Sequence, residues 1–278
     1  MLLGLDPDPL RLLPAALEAA DGDTAADRAA SAVRAHCSLL IEAAGSACVG
    51  VKLQLACFER LGPPGWRALF ETAAAAREAG LLVVADGKRG DVPHTAAAYA
   101  QALLATTPTP WGHIEGLGAD AVTVNPLLGA DSLEPIIAAA RAAAACTFVL
   151  VRTSNPGAGA LQDADVDGLP LNARLAMLVD ELGAGDGPLA DVGAVVGATR
   201  PELLNRLREL MPRAVFLLPG VGAQGGRVED LAPGFAPGRA GGLVAVSRTI
   251  SDAGLEGGEG AARDAAERIR RAAWEVSD

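Results

Sequence analysis

The stretch LLVVADGKRGD, residues 81–91, joins an apolar run to a cluster of charged residues, and this pattern recurs along the chain. Near-continuous runs of Val and Leu are typical of strands buried on both faces of a parallel sheet. Eight such strands are predicted, at 2–5, 47–52, 81–85, 120–125, 147–152, 192–197, 214–218 and 242–246. Alanine-rich amphipathic stretches between them predict helices over 26–44, 66–79, 94–105, 132–145, 171–183, 201–210 and 258–276.

Eight β–α units in a chain of this length predict a (β/α)8 TIM barrel, an α/β fold. A doubly wound sheet is the main alternative, because a strand count alone does not show closure. No change in composition marks a boundary, so we expect one domain over 1–278, beginning directly at strand one. Three longer stretches are expected to be irregular and are candidate lids, at 106–118, 157–170 and 222–241.

The composition indicates a globular chain without a surface for nucleic acid. Apolar residues make up 50% of the 278 residues and charged residues 21%, which suits a sizeable core. The net charge of −11 and the aromatic content of 3% argue against binding to nucleic acid, which needs positive charge and stacking side chains. The N-terminal MLLGLDPDPL lacks the basic segment of a signal peptide, and no run is apolar enough to predict a transmembrane helix. We therefore expect a soluble, cytoplasmic protein without a membrane partner.

The cysteines and histidines predict neither a metal site nor a disulfide framework. No two cysteines have C-x-x-C spacing, and the histidines lack the spacing of zinc ligands. This pattern favours a reducing compartment. The residues concerned are Cys37, Cys48, Cys57, Cys146, His36, His94 and His113.

Polar residues follow most of the predicted strands. In a barrel the carboxyl ends of the strands share one mouth, where active sites are built. Six strand ends carry candidate site residues: Asp6, Lys52, Asp86 with Lys88 and Asp91, Arg152 with Ser154, Gln224, and Arg248.

The spacing of Asp86, Lys88 and Asp91 suggests a charged array. Residues two apart in a strand point to the same side, so Asp86 and Lys88 are expected to leave the strand together, with Asp91 in the turn that follows. With Lys52 from the neighbouring strand, the set alternates two cations with two anions. Each pair would interact by roughly 4 kcal/mol at 4 Å before desolvation. The alternative is a helix-capping aspartate beside a surface lysine.

Two further segments are candidates for ligand binding. Residues 220–225 match G-x-G-x-x-G, but the segment follows a late strand and lacks the acidic residue of a dinucleotide site. A phosphate site built from glycine amides and Arg248 fits better, and a plain glycine turn is the alternative. The hydroxyl groups of Thr153 and Ser154 could form hydrogen bonds with the polar edge of a ring in a ligand. The alternative is that these residues form a turn before Pro156.

The run ADGKRGDVPHT, residues 85–95, closely resembles the signature of orotidine 5′-phosphate decarboxylase, the last enzyme of UMP synthesis. Seven further stretches resemble the bacterial type 2 branch of this family: GLDP at 4–7, VKLQ and FER within 51–60, DAVTVNPLLG at 120–129, FVLVRTSNPG at 148–157, VGAVVGAT at 192–199 and LLPGVGAQGG at 217–226. The resemblance implies a (β/α)8 barrel that works as a homodimer without metal or organic cofactor. It implies orotidine 5′-phosphate as substrate and UMP as product.

The resemblance also implies a role for each matching residue. Lys88 would deliver a proton to C6 of the pyrimidine, Asp86 would lie against the departing carboxylate, and Lys52 would order the charges and touch the ribose. Asp91 and Thr95 would enter the partner subunit's site. The remaining matches imply substrate binding: Asp6 to the ribose, Ser154 to the pyrimidine edge, and Gln224 and Arg248 to the phosphate.

The chain departs from the type 2 pattern at a few positions without losing a charged group. These positions are Leu53, Leu55, Leu127 and Gly87. Relatives carry a helix before strand one, so we expect either a more open barrel bottom with lower stability or a start codon further upstream.

Two alternative functions belong to other classes. Magnesium-dependent sugar-phosphate decarboxylases and aldolases of the same superfamily share D-x-K-x-x-D, but they use a carboxylate at the end of strand two, where this chain has Lys52. The other alternative is a non-catalytic barrel that binds nucleotides.

Overall fold

Eight parallel strands form a closed barrel in a computed structural model that describes residues 1–278. The strands are β1 (Leu2–Leu5), β2 (Gly50–Gln54), β3 (Leu82–Arg89), β4 (Ala121–Val124), β5 (Cys146–Arg152), β6 (Val192–Val196), β7 (Phe216–Pro219) and β8 (Gly242–Val246). They follow one another around the barrel in chain order. The predicted (β/α)8 fold is confirmed, and the open doubly wound sheet is wrong.

The apolar runs form strands because almost every side chain in them is buried. All residues of β1, β4 and β6 are buried, which explains why their sequences do not alternate with polar residues. Two strand predictions shift by three or more residues at one end, and the others by two or fewer. The second strand begins at Gly50 because Gly45–Ala47 form a 3-10 turn. The third extends to Arg89 and so includes both Asp86 and Lys88.

Ten helices accompany the strands, and seven correspond to predicted ones. They are α1 (Pro14–Glu18), α2 (Ala25–Ala44), α3 (Leu55–Glu59), α4 (Pro63–Glu78), α5 (Pro93–Leu103), α6 (Ala130–Ala142), α7 (Ala158–Gln162), α8 (Leu171–Leu182), α9 (Leu204–Leu210) and α10 (Arg248–Glu275). The helix predicted from 258 begins ten residues earlier, and Gly258, with φ of 74°, kinks it. Helix α2 begins at a capping box in which Thr24 and Asp27 satisfy each other's backbone N–H groups.

The three stretches expected to be irregular contain short regular elements. Residues Thr106–Thr109 and Gly112–Glu115 form an antiparallel hairpin that includes His113. The second stretch holds α7 and a two-residue hairpin, Asp165–Val166 with Leu169–Pro170. The third contains 3-10 turns at Val228–Asp230, Ala232–Phe235 and Arg239–Gly241. Elements this short give too little periodic signal to be read from one sequence.

The chain forms two compact units. The first comprises Met1–Gly87 with Val246–Arg271, and the second comprises Lys88–Ala245 with Ala272–Asp278. The single-domain interpretation stays a prediction. None of the helices combines the length and the apolar character that crossing a membrane requires.

His36, on α2, is a buried imidazole in the first unit. Only 3% of its surface is exposed, and its Nδ1 accepts the backbone N–H of Leu13 at 3.1 Å. Burial lowers the pKa of His36 from 6.5 to about 4. The folded protein therefore keeps this imidazole neutral at a pH where the unfolded chain binds a proton.

We expect this difference to make stability depend on pH. As the pH falls below about 6.5 the unfolded state takes up the proton first, so the free energy of unfolding decreases, by about 2 kcal/mol at pH 5. Urea unfolding at pH 7.5 and pH 5 measures the loss. The control is His36→Asn, whose amide oxygen can accept the Leu13 N–H without titrating. If the parent and His36→Asn lose the same stability between the two pH values, His36 is not the cause.

Candidate active site

The first unit brings three of the expected site residues together around the ammonium group of Lys52. Its Nζ lies 2.8 Å from Oδ2 of Asp86 and 3.4 Å from Oδ1 of Asp6. Lys52 is 7% exposed and Asp86 is 4% exposed. The register of β2 against β3 pairs Gln54 with Asp86, and the Gln54 amide donates to Asp86 Oδ2 at 3.3 Å.

The two carboxylates keep Lys52 charged in spite of its burial. Burial alone lowers the pKa of a lysine, but the charges of Asp6 and Asp86 outweigh it and raise the pKa of Lys52 above its ordinary value. The result is a fixed cation beside a buried anion at the ends of β1, β2 and β3. Such a group can order charge around a ligand without moving.

Lys88 follows Asp86 by two positions and begins the second unit. Its side chain is exposed, and its backbone has φ of 48°, in the left-handed region. The backbone N–H of Lys88 donates to Oγ1 of Thr123 at 2.9 Å. The strand alternation used to place Asp86 and Lys88 on one side therefore does not apply at Lys88, because its backbone leaves the extended conformation.

Asp91 and Thr95 lie where the sequence predicts them, in the turn after β3 and on α5. The carboxylate of Asp91 accepts the N–H of Val92 at 2.8 Å, and Val92 is the N-cap residue of α5. Both Asp91 and Thr95 are partly exposed.

Ser154 and Gln224 meet within the second unit. The Ser154 hydroxyl donates to Oε1 of Gln224 at 2.7 Å, so the loop after β5 contacts the loop after β7. The Ser154 loop is anchored by the buried guanidinium of Arg152. That group donates to both carboxylate oxygens of Asp163, at 2.8 and 3.0 Å, and to the carbonyl of Thr153.

The glycine segment after β7 forms a closed turn. Gly220, Gly222 and Gly225 have positive φ, which explains the glycines. The N–H groups of Gly222, Gly225 and Gly226 donate to carbonyls of the same loop. These three amides therefore hold the turn together rather than an anion, contrary to expectation. The side chain of Gln224, in the same loop, is exposed.

Arg248 is the first residue of α10 and is exposed. It belongs to the first unit, together with Lys52 and Asp6. Neither an ion pair nor a hydrogen bond of its side chain ties it to a neighbour in the structure, so its guanidinium is available to a ligand.

Sequence reasoning missed two residues that contact the expected ones. Gln54 is two positions after Lys52 in the same strand, so strand alternation could have placed both side chains on one side. Thr123 is a buried hydroxyl within the run AVTV, and only its polarity distinguished it from its neighbours.

The rarity of lysine was a further signal in the sequence that was overlooked. Of the 23 lysine and arginine residues in the chain, only Lys52 and Lys88 are lysines.

A closed (β/α)8 barrel with ammonium and carboxylate groups at its strand ends belongs to the class of TIM-barrel enzymes. The model of the orotidine 5′-phosphate decarboxylase / HUMPS family matches residues 3–264, and the chain belongs to this family. It is 44% identical to an orotidine 5′-phosphate decarboxylase of Rhodopirellula baltica, covering 89% of this chain and 82% of the relative. It is 48% identical to one of Deinococcus radiodurans, covering 83% and 81%. The solved structure of Leishmania donovani OMP decarboxylase is similar, with a TM-score of 0.77 and 31% identity over 99% of this chain and 93% of that one.

The buried pair of Lys52 and Asp86 gives a testable expectation for stability. Replacing Lys52 by Met leaves the Asp86 carboxylate buried without the ammonium at 2.8 Å, and we expect the free energy of unfolding to fall by about 3–5 kcal/mol. The double variant Lys52→Met/Asp86→Asn removes both charges and should recover most of this loss. Urea unfolding of the parent, of Lys52→Met, of Asp86→Asn and of the double variant measures the coupling.

The matched control is Arg206→Met, which breaks the exposed ion pair of Arg206 with Glu209. That change should cost less than about 1 kcal/mol. A Lys52→Met variant as stable as Arg206→Met would contradict the importance of the buried pair.

Proposed function

We propose that residues in and just after the barrel strands decarboxylate orotidine 5′-phosphate, with Lys88 as the proton donor. The chain is a carboxy-lyase that converts orotidine 5′-phosphate to UMP in pyrimidine biosynthesis, the reaction for which its family and curated relatives are named. The residue assignment rests on the buried ion pair of Lys52 with Asp86. Asp86 is two positions before Lys88, whose side chain is exposed.

The reaction explains why charge is concentrated at this point of the chain. When the bond from C6 to the carboxylate breaks, CO2 leaves and the electron pair stays on C6 in the plane of the ring. Conjugation of that pair with the ring is poor, so stabilisation must come from charge placed in advance. An ammonium of Lys88 directed at C6 supplies that charge and then gives its proton to C6, which completes UMP.

Asp86 and Lys52 are proposed to supply the fixed charges that surround the reacting carboxylate during this step. In the proposal Asp86 faces the carboxylate that departs, and Lys52 keeps Asp86 in place and touches the ribose. The 2.8 Å contact and the burial of both groups support a rigid arrangement that needs no reorganisation during the reaction. A further contact of Asp86 with the Gln54 amide supports the same interpretation.

The remaining residues are proposed to bind the substrate. Asp6, whose side chain is 36% exposed, would accept hydrogen bonds from the ribose. Ser154 would bind the pyrimidine edge, and Gln224 and Arg248 the phosphate. The contact between Ser154 and Gln224 supports this assignment, because it connects the loop proposed for the ring to the loop proposed for the phosphate.

We also propose a homodimer in which Asp91 and Thr95 enter the partner's active site. Both side chains are partly exposed, and apolar side chains near them in the chain and on the β4–α6 loop are exposed as well. Val92 is 54% exposed, Leu127 57% and Leu128 46%. Exposed apolar side chains of this kind support an interface.

We also propose a cytoplasmic location. All four cysteines are free thiols, which supports a reducing compartment.

Neither alternative function has an observation in its favour. A magnesium-dependent sugar-phosphate enzyme needs a carboxylate at the end of β2, where the ammonium of Lys52 is buried instead. A binding-only barrel has no need for an exposed lysine in a left-handed conformation.

The first test is the loss of orotidine 5′-phosphate absorbance when purified protein is added in the presence of EDTA. We expect rapid conversion by the parent. Lys88→Ala should abolish turnover while UMP binding stays measurable by calorimetry. Lys88→Arg keeps the positive charge but cannot release a proton near neutral pH, so it should also be inactive. The control Arg206→Ala removes an exposed cation elsewhere and should keep full activity.

Two results would overturn the assignment. A Lys88→Ala variant with near-parental turnover would exclude Lys88 as the proton donor. A parent that binds UMP tightly without turning over the substrate would favour the binding-only barrel.

The dimer is tested by mixing two inactive variants. If Asp91 serves the partner's site, a mixed dimer of Lys88→Ala and Asp91→Ala contains one site with both residues intact. Random exchange of subunits should then restore about a quarter of the parental activity. If each chain supplies its own Asp91, the mixture stays inactive whatever the exchange.

A further inference from the structure

The backbone of Lys88 has a positive φ, of 48°, which contacts with neighbouring residues must stabilise. Three residues other than glycine have positive φ, and two of them, Ala144 and Asp167, lie in turns. Lys88 is the only one of the three in a barrel strand. A lysine in the left-handed region is strained, and such strain persists only where surrounding contacts determine the conformation.

Strand β4 and Asn125, the residue that follows it, supply such contacts on the two sides of Lys88. The hydroxyl of Thr123 accepts the Lys88 N–H at 2.9 Å, and the Asn125 N–H donates to the Arg89 carbonyl at 2.8 Å. A Cβ at Gly90 would lie 3.0 Å from both Cβ and O of Asn125, so the chain also packs tightly against the residue that follows β4. Thr123 is 1% exposed, so water does not compete for its hydroxyl.

We infer that Thr123 is a positioning residue that directs the Lys88 ammonium by holding its backbone N–H. This inference rests on the proposed role of Lys88 as proton donor. The Thr123 side chain has the only hydroxyl in β4, and its partner is the peptide group immediately before the Lys88 Cα. Rotation of that peptide changes the direction of the Cα–Cβ bond and so moves Nζ at the far end of a four-carbon side chain.

The loss of this contact should affect the chemical step more than substrate binding. The groups proposed to bind phosphate, ribose and pyrimidine lie on other elements than β3, the strand that contains the Lys88 peptide. A misplacement of about 1 Å at a reacting group lowers turnover by up to about 100-fold. Thr123→Val should therefore lower kcat by about 10- to 100-fold and change KM by less than about threefold.

The hydroxyl itself is tested with matched variants. Thr123→Ser keeps the acceptor and should stay within about threefold of the parental kcat, whereas Thr123→Val keeps the shape and loses the acceptor. The control is Thr147→Val on β5. Thr147 is also a fully buried strand threonine, but its Oγ1 has no hydrogen-bond partner. Removing that hydroxyl should leave kcat unchanged and cost no stability.

The readouts separate this inference from the proposed function. An active parent whose Thr123→Val variant keeps parental kcat overturns the positioning role, as does an equal loss of kcat in the Ser and Val variants. If Thr123→Val does not fold, Thr123→Ala replaces it in the comparison with Thr123→Ser. A parent without turnover, or an active Lys88→Ala, contradicts the proposed function instead.

Discussion

The ion pair between Lys52 and Asp86 is the interaction that holds Asp6, Lys52 and Asp86 together at the ends of the first three strands. Two unlike charges 2.8 Å apart and almost fully buried attract each other strongly, but each has lost its hydration, so removal of either leaves a costly buried charge. The pairing of β2 with β3 places the two residues on adjacent strands, and Gln54 adds a hydrogen bond across the same register. Backbone pairing and side-chain charge therefore determine the same arrangement. Asp86 is therefore positioned by the pairing of barrel strands β2 and β3 and not by a loop.

Lysine occurs at only two positions of this chain, and both belong to the proposed site. Positive charge is supplied by arginine everywhere except at Lys52 and Lys88. Arginine keeps its proton in proteins and forms planar, bidentate contacts, as Arg152 does with Asp163. A lysine has a compact ammonium that can approach one carboxylate closely or give up a proton. The two positions that keep lysine are the two for which the proposed reaction needs those properties.

The fold was predictable because buried parallel strands have continuous apolar sequences. All eight barrel strands were found, and their polar ends correctly indicated Asp6, Lys52 and Asp86 as neighbours. The conformation of Lys88 was not predictable, because alternation assumes an extended backbone and tertiary contacts with β4 override it. Thr123 was missed for the same reason, since it acts on the backbone of a distant residue. The hairpin at 106–115 was missed because its strands have only four residues each, and the first, TTPT, resembles a loop.

Burial distinguishes the Lys52–Asp86 charge pair from the two groups proposed to bind the phosphate. Lys52 and Asp86 are enclosed and fixed, whereas Gln224 and Arg248 are exposed on a glycine loop and at a helix start. A buried charge pair is already in place before substrate arrives, so it contributes to the transition state without being reorganised. In the proposal Gln224 and Arg248 bind the phosphate, and that binding energy can be used to orient the pyrimidine over Lys88. The phosphate, remote from C6, is then the part of the substrate whose loss should reduce kcat as well as affinity.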